Sequence, residues 1–285
     1  MEEMVWGWPL IIDLWAAGVA GGGFFAAFLV DRFTGRKNKQ LIQVATWIGV
    51  PLALLGVLLL VVDLGNQLWF WHLMVRFVPF SLMFFPMSPM SMGTWVLTLW
   101  SICGLILIVL WLAERKVPGF VVLERFAPLT EILIWINLVL SVFVITYTGV
   151  VLSNTNMPTW TTAFLPALFV SSAIFTGTAA IQLVSTLLGK AVPEEFGKAS
   201  LILVAVQVVA LIGFLVTVPA GVLVGGPLAV WFWVGAVLIG LIAPFGLELW
   251  TLRAQRTMPL VLASTLCVLV GGLVLRAMVL LSGQA

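Results

Sequence analysis

Several side chains that can exchange protons or donate hydrogen bonds lie near those ends of long apolar segments that are expected to share one side of a membrane. They are Asp13, Asp63, His72, Arg76, Tyr147 and Arg276. Together they offer carboxylates, a phenol, an imidazole and guanidinium groups at similar depth. Ionisable groups are costly within lipid and therefore mark candidate sites. This set fits a ligand with a polar head and an apolar body that enters from the membrane, and a quinone meets that description.

Tyr147 is the only tyrosine of the sequence. A phenol buried in lipid needs a hydrogen-bond partner, which a quinone carbonyl or a neighbouring backbone carbonyl would supply. A simpler interpretation of the same set is that Arg76 and Arg276 extend to lipid headgroups while the two aspartates cap helices or pair with the arginines.

The composition and the apolar stretches of the sequence predict the helices that position these residues. Of the 285 residues, 62% are hydrophobic and only 8% are charged. This composition fits a bilayer and excludes a soluble or nucleic-acid-binding domain. We therefore predict an all-α, polytopic membrane protein forming a single integral membrane domain over residues 1–285. Stretches of roughly 20 apolar residues place eight transmembrane helices at about 8–30, 41–64, 92–113, 128–152, 163–188, 199–222, 227–249 and 259–281.

Basic residues predict the orientation. Eleven of the thirteen Lys and Arg residues fall in alternate connections: Arg32, Arg36, Lys37, Lys39, Arg115, Lys116, Arg125, Lys190, Lys198, Arg253 and Arg256. The positive-inside rule places these connections in the cytoplasm and both termini outside. The acidic start Met1-Glu2-Glu3 agrees, because it lacks the positive region of a signal peptide. An outer aromatic belt is expected from Trp6, Trp8, Trp69, Trp71, Trp160, Trp231 and Trp233.

A second polar set has Glu131 and Glu248 toward the cytoplasm, with Asn137, Gln182 and Gln207 at intermediate depths. Glu131 and Tyr147 share one span, sixteen residues or about 24 Å apart, so that helix could carry a proton route across the bilayer. The alternative is that headgroups and water reach the two glutamates, while the amides join helices.

Ligands for redox metals are scarce. The two cysteines, Cys103 and Cys267, are expected to be packing residues, and His72 is the single histidine. These residues exclude an iron–sulfur cluster or a bis-histidine haem within the protein, and we predict no metal site. Electrons that pass through this protein would have to come from another subunit.

Small residues and prolines mark two further features. Gly18 opens a run of small residues through Gly23 that permits close approach by a neighbouring helix or a ligand. Pro86 and Pro89, with the small residues that follow them, predict a broken or re-entrant segment before the third span, walling the outer pocket.

The ordered motifs of the sequence resemble those of the polysulfide reductase membrane-subunit family, the NrfD-type quinone-interacting anchors. The similarity covers nearly the whole length. It rests on four blocks: Asp13-Leu14-Trp15-Ala16-Ala17-Gly18; Asp63-Leu64-Gly65, Trp69-Phe70-Trp71 and Ser88-Pro89-Met90-Ser91-Met92-Gly93-Thr94-Trp95; Tyr147-Thr148-Gly149 with Pro158-x-Trp160; and Gly271-Gly272-Leu273-Val274-Leu275-Arg276.

This resemblance implies two four-helix bundles in a prokaryotic inner membrane, with no cofactor except bound menaquinone or ubiquinone. It implies a four-cluster, ferredoxin-like iron–sulfur subunit and a molybdopterin catalytic subunit as partners. By the family pattern, quinone would lie near the outer face against Tyr147 and Asp13. Further candidates are Asp63, Gly18, Arg276 and His72, of which His72 lies outside the family motifs and is a candidate by its depth alone.

The favoured function is therefore quinone or quinol redox within an oxidoreductase complex, with no separate catalytic residues in this protein. A secondary transporter would show binding near the middle of the bilayer and an inverted repeat. A passive membrane anchor would leave the outer polar set without a role. The terminal substrate belongs to a partner subunit and is not encoded here.

Overall fold

The computed structural model describes residues 6–64, 66–77, 80–190, 194–253 and 257–284. Met1-Glu2-Glu3, Gly65 and Arg256, which the sequence analysis used, lie outside these ranges.

Helices dominate the fold, as the composition predicts. In the described part of the protein, eight helices are long and apolar enough to cross a membrane, which confirms the all-α polytopic prediction. We number these spans α1 (Trp8–Phe33), α2 (Lys39–Asp63), α3 (Pro89–Glu114), α4 (Leu129–Ser153), α5 (Phe164–Leu187), α6 (Glu194–Thr217), α7 (a π-helical part, Trp231–Ile242, continued by Ala243–Arg253) and α8 (Met258–Ser282).

The connection between α2 and α3 forms an extension outside the helices. It contains a 3-10 helix, Gln67–Leu73, and two short antiparallel strands, β1 (Val75–Phe77) and β2 (Phe80–Leu82), in which Arg76 pairs with Ser81. Two other short elements, the 3-10 helix Val121–Phe126 and the helix Gly221–Val224, lie in later connections.

The α6 span ends at Thr217, earlier than the expected 222, and Gly221–Val224 forms its own short turn of helix. Pro219 explains the separation, because proline cannot donate the backbone hydrogen bond that a continuing helix requires.

The segment before α3 is broken, as the two prolines predict: residues 83–88 form coil and a turn and not a helix. The helix begins at Pro89, and Ser88 caps it by accepting a hydrogen bond from the Ser91 backbone N–H at 3.4 Å. The Ser91 hydroxyl in turn accepts from the Phe85 N–H at 3.1 Å. The prolines and small residues therefore form a helix start, in which proline is favoured at the first position.

α1 is the central helix. It packs against α2, α4, α5 and α8, and its small residues permit these approaches. A Cβ on Gly22 would collide with the backbone of α5 at Ala173, and Gly177 of α5 lies directly against the backbone of Gly23. The first four spans otherwise pack mainly with one another, as do the last four, and the contacts of α5 with α1 and α4 join the two sets.

The two ends of the helical domain meet. The Trp6 N–H donates to Gln284 Oε1 at 3.0 Å, and Gln284 Nε2 donates to the Trp6 carbonyl at 3.0 Å. This pairing places the start of α1 and the end of α8 on the same face, as an even number of spans requires.

Trp160 departs from the expected aromatic belt. It is only 2% exposed, stacks on Trp6 with ring centroids 5.2 Å apart and donates its indole N–H to the Val279 carbonyl at 2.6 Å. It is therefore a packing residue beneath the paired ends of the domain. Trp8 and Trp231, in contrast, are exposed as belt residues should be.

Candidate functional site

Tyr147 lies in the last third of α4, against α3. A Cβ on Gly93 of α3 would collide with the Tyr147 ring, so the missing side chain at Gly93 makes room for the phenol. Among the described residues, the Tyr147 hydroxyl makes no hydrogen bond to another residue. The phenol is therefore available to a ligand.

A cavity of about 200 Å³ opens beside this phenol. Its walls come from α3, from α4 and from the segment that precedes α3: Pro86, Met87, Pro89, Met92, Val96, Phe143, Thr146, Tyr147 and Val150. Two of these side chains carry a hydroxyl. Thr146 donates its own to the Val142 carbonyl within α4 at 2.7 Å, so Tyr147 is the hydroxyl left to meet an occupant.

The cavity opens at the end of α3 where that helix begins. Met87, on its rim, is 95% exposed, and Phe143 on α4 is exposed along the helix surface. An occupant could thus place a polar head beside Tyr147 and an apolar tail along the lipid-facing side of α4.

Asp13 lies near the phenol but does not line the cavity. Its side chain fits against Gly56 of α2, is 2% exposed and is close enough to interact electrostatically with Tyr147. The Oδ1 atom has no hydrogen-bond partner among the described residues. Because an unpaired buried carboxyl oxygen is costly, this arrangement is typical of a site completed by water or by a ligand.

Other members of the outer set lie elsewhere. Asp63 is exposed at the end of α2, and Arg76 is exposed on β1. His72 lies in the 3-10 helix outside the spans, with its ring stacked on Trp69 at 4.4 Å and on Trp71 at 3.4 Å between centroids. The structure thus brings Asp13 and Tyr147 together and leaves these three away from the cavity.

Arg276 forms a separate buried centre. It has no exposed surface and donates from Nη1 to the Ser172 hydroxyl at 3.0 Å and to the Gly272 carbonyl at 3.2 Å. Its guanidinium lies 5.4 Å above the Phe169 ring and directly against Gly18, where a Cβ would collide with it. The interpretation that Arg276 reaches the headgroups is therefore wrong.

α1 separates Arg276 from Asp13. Gly18 faces α5 and α8, whereas Asp13 faces α2. Five residues of α-helix turn through about 500°, which leaves the two positions some 140° apart around the axis. Gly18 thus belongs with Arg276 and not with the cavity.

The inner polar set divides among different helix pairs. Glu131 at the start of α4 accepts from Arg32 of α1 at 2.5 Å and lies 3.7 Å from Arg36. In the second half of the sequence, Gln182 donates to the Ser200 hydroxyl at 3.2 Å.

Glu248 of α7 accepts from the hydroxyl of Ser264 in α8 at 3.4 Å. Asn137 and Gln207 are buried. Both amide atoms of Asn137 and the Oε1 atom of Gln207 have no hydrogen-bond partner among the described residues.

Sequence reasoning missed Gly56, which fixes the position of Asp13. A signal for it exists: Gly49 and Gly56 are seven residues apart in a helix otherwise rich in large apolar residues, so they share one face. Both lie against α1, Gly49 at Ala20 and Gly56 at Asp13.

The fold and the site define a class: a polytopic membrane protein with a mainly apolar, lipid-accessible cavity, a half-buried phenol and a buried carboxyl. The protein belongs to the family described as "Polysulphide reductase, NrfD", whose sequence model matches residues 1–285. This confirms the resemblance found in the motifs.

Two relatives are similar over nearly their whole length. The sequence is 31% identical to Protein NrfD of Escherichia coli (strain K12), over 99% of its own length and 96% of that protein. It is 29% identical to the C subunit of the polysulfide reductase of Wolinella succinogenes, over 99% of its own length and 95% of that subunit. Membership of this family supports a multi-pass membrane subunit of a respiratory oxidoreductase complex.

Proposed function

We propose that this protein binds quinone or quinol in the cavity beside Tyr147 and exchanges electrons with an iron–sulfur partner subunit at the extracytoplasmic face. The observation that carries the proposal is a phenol with no hydrogen-bond partner among the described residues, facing an otherwise apolar, lipid-accessible cavity. The buried, unpaired carboxyl of Asp13 lies near that phenol.

The chemistry of a quinone matches these groups. Its reduction adds two electrons and two protons, so a site needs a donor to a carbonyl oxygen and a group that can hold a proton. Tyr147 supplies the donor and Asp13 the proton-holding group. Electrons would come from clusters in a partner, because Cys103 and Cys267 lie in different spans and have no cysteine neighbours in the sequence.

The size of the cavity supports a headgroup site. Pockets that enclose a whole small ligand typically measure about 300–1,000 Å³, which exceeds this cavity of about 200 Å³. A quinone ring with its isoprenoid tail left in the lipid fits the smaller volume better than a fully enclosed substrate does.

The side of the membrane follows from charge. Glu131 lies at one end of α4, together with Arg32, Arg36 and the basic connection between α1 and α2, and the cavity lies at the other end. The positive-inside rule places that connection in the cytoplasm and the cavity outside, where protons can exchange with water without crossing the lipid.

The test compares two variants of the same cavity. Tyr147→Phe removes the free donor, and Thr146→Val removes a hydroxyl that is already bonded within its own helix. With the intact complex in liposomes, Tyr147→Phe should weaken quinone binding about two- to tenfold, the value of one hydrogen bond, and lower quinol-linked turnover. Thr146→Val should leave both unchanged.

Equal quinone affinity in the two variants would remove Tyr147 from the site. Quinone that copurifies with the wild-type complex distinguishes this function from a transporter or a passive anchor, neither of which requires it.

A further inference from the structure

A second cavity, of about 180 Å³, lies at the opposite end of the first bundle, where α1 and α4 meet the start of α2. Its walls are Asp31, Arg32, Arg36, Lys39, Ile42, Glu131 and Ile134. Charged side chains dominate this cavity, in contrast to the apolar one beside Tyr147. The roughly 24 Å between Glu131 and Tyr147 along α4 separates the two.

Both carboxylates of this cavity already have partners. Asp31 is buried, and its Oδ1 accepts a hydrogen bond from the Asn38 N–H at 3.0 Å. Glu131 is paired with Arg32 and lies 3.7 Å from Arg36. Three cationic side chains therefore face two carboxylates, and those of Arg36 and Lys39 are exposed on the rim.

Arg32 also contributes beyond its ion pair. Its guanidinium lies over the Phe28 ring at 4.7 Å and the Trp135 ring at 5.4 Å, which fixes its plane. Its Nε is buried with no hydrogen-bond partner among the described residues. Arg32 thus lines the cavity with a guanidinium that its ion pair and two aromatic rings hold in place.

The backbone holds Arg36 in place at some cost. Gly35 and Arg36 both adopt left-handed conformations, with φ of 70° and 62°, and the Arg36 N–H donates to the Asp31 carbonyl at 2.7 Å. The left-handed conformation costs an arginine about 1–2 kcal/mol. The turn that brings this side chain to the cavity is therefore formed despite the backbone preference of Arg36.

The surface beside the cavity is apolar and faces outward. Phe33 at the end of α1, and Leu129, Ile132 and Trp135 in the first two turns of α4, are exposed. Acyl chains would cover such a surface in a membrane. An anion that lies in the cavity beside these residues is therefore most simply part of a lipid.

We propose that this cavity binds the phosphate group of an anionic phospholipid, with Arg36 and Lys39 pairing with the phosphate and acyl chains lying against Ile132 and Trp135. Basic pockets between spans select anionic headgroups because a phosphate accepts several charge-assisted hydrogen bonds. This site is independent of the quinone proposal.

The test uses the full-length protein in nanodiscs made from mixed zwitterionic and anionic phospholipids. Lipids retained after detergent extraction are counted by native mass spectrometry. Wild type should retain the anionic lipid selectively. Arg36→Gln and Lys39→Gln should each weaken its retention about fivefold, and the double variant about twenty-five-fold, since independent losses multiply.

Two further variants serve as controls. Lys37→Gln removes the same charge from the same connection, but Lys37 does not line the cavity, so retention should be unchanged. Glu131→Gln removes a carboxylate from the cavity wall, and retention of the anionic lipid should increase. Equal losses in the Lys37, Arg36 and Lys39 variants would overturn the proposal, because they would indicate general surface attraction.

A separate arm distinguishes the lipid from free phosphate. Inorganic phosphate is titrated against the protein in purely zwitterionic nanodiscs, and its effect on thermal unfolding is measured. No shift at millimolar phosphate supports a lipid headgroup. A phosphate-dependent shift that the double variant abolishes, without selective lipid retention by wild type, would overturn the lipid assignment.

Discussion

The carboxyl group of Asp13 occupies the space that a side chain would fill at Gly56. This fit allows α1 and α2 to approach closely, and it holds the carboxyl near enough to Tyr147 for an electrostatic interaction. A residue without a side chain thus positions one of the few ionisable groups within the spans.

Gly56→Ala should therefore impair the quinone site without removing any polar group. The added methyl group collides with Asp13 Oδ1 and must displace either the carboxyl or the helix, at a typical cost of about 1–3 kcal/mol for overpacking. We expect quinol-linked turnover of the complex to fall while the subunits still assemble.

Gly246→Ala in α7 is the matched control. A Cβ there meets no atom within 4 Å, so this variant should keep full turnover and gain slightly in helix stability. Normal turnover in Gly56→Ala would show that the position of the Asp13 carboxyl does not matter.

Two variants of Asp13 distinguish the role of its shape from the role of its ionisable carboxyl group. Asp13→Asn keeps the size and hydrogen-bonding capacity of the side chain, whereas Asp13→Ala removes both. If Asp13 holds a proton for the quinone, both variants should lower turnover in liposomes and leave the complex assembled. A normal rate in Asp13→Asn with a loss only in Asp13→Ala would assign the residue to packing.

The contact between Gly18 and Arg276 predicts that substitutions at these two positions have strongly non-additive effects on the free energy of unfolding. Gly18→Ala should destabilise the protein by about 1–3 kcal/mol, because its methyl group collides with a guanidinium enclosed on all sides. In an Arg276→Met background, where the side chain is flexible and uncharged, the same change should cost much less. A double-mutant cycle of thermal unfolding in detergent measures this coupling.

Additive effects in that cycle would mean that Gly18 serves another contact, such as the one to Ala173 of α5. The assay does not depend on quinone, so it tests the packing alone.

Glu131→Gln tests whether the inner glutamate carries protons. Because Glu131 is paired with Arg32 and is partly exposed, we expect a loss of about 1 kcal/mol or less in stability and an unchanged proton-to-electron ratio in liposomes. A lower ratio with normal electron transfer would instead assign Glu131 to a proton route.

Sequence patterns predicted well how deep each side chain lies in the membrane, but poorly which way it points around its helix axis. Length and hydropathy are local properties, so all eight spans could be identified without knowledge of their neighbours. The predicted depth of Asp13 near the start of α1, and of Tyr147 and Arg276 near the ends of α4 and α8, agrees with the structure. Which neighbour each side chain faces depends on helix packing, and a single sequence records that only indirectly.

Arg276 illustrates the difference. It lies less than two turns from the end of α8, where a long cationic side chain ordinarily reaches the headgroups. Side chains on a helix, however, incline toward its N-terminus, which for α8 is away from that end. With Gly18 leaving space on α1 and Ser172 offering a hydroxyl on α5, the guanidinium extends inward.

Trp160 gives a similar lesson for the aromatic belt. Its position near the start of α5 suits an interfacial residue, and its burial results from the pairing of Trp6 with Gln284 above it. That pairing joins positions 278 residues apart, which no local pattern can indicate.

The central position of α1 has a consequence for biogenesis. Phe33 at the end of α1 and Met258 at the start of α8 are 225 residues apart, or about 10–45 s of translation at roughly 5–20 residues per second. Throughout that time Gly18 of α1 lacks its final contact with Arg276 of α8. The packing of α1 is therefore completed only after α8 has been synthesised, and until then lipid or an insertion factor must cover the part of α1 that Arg276 later contacts.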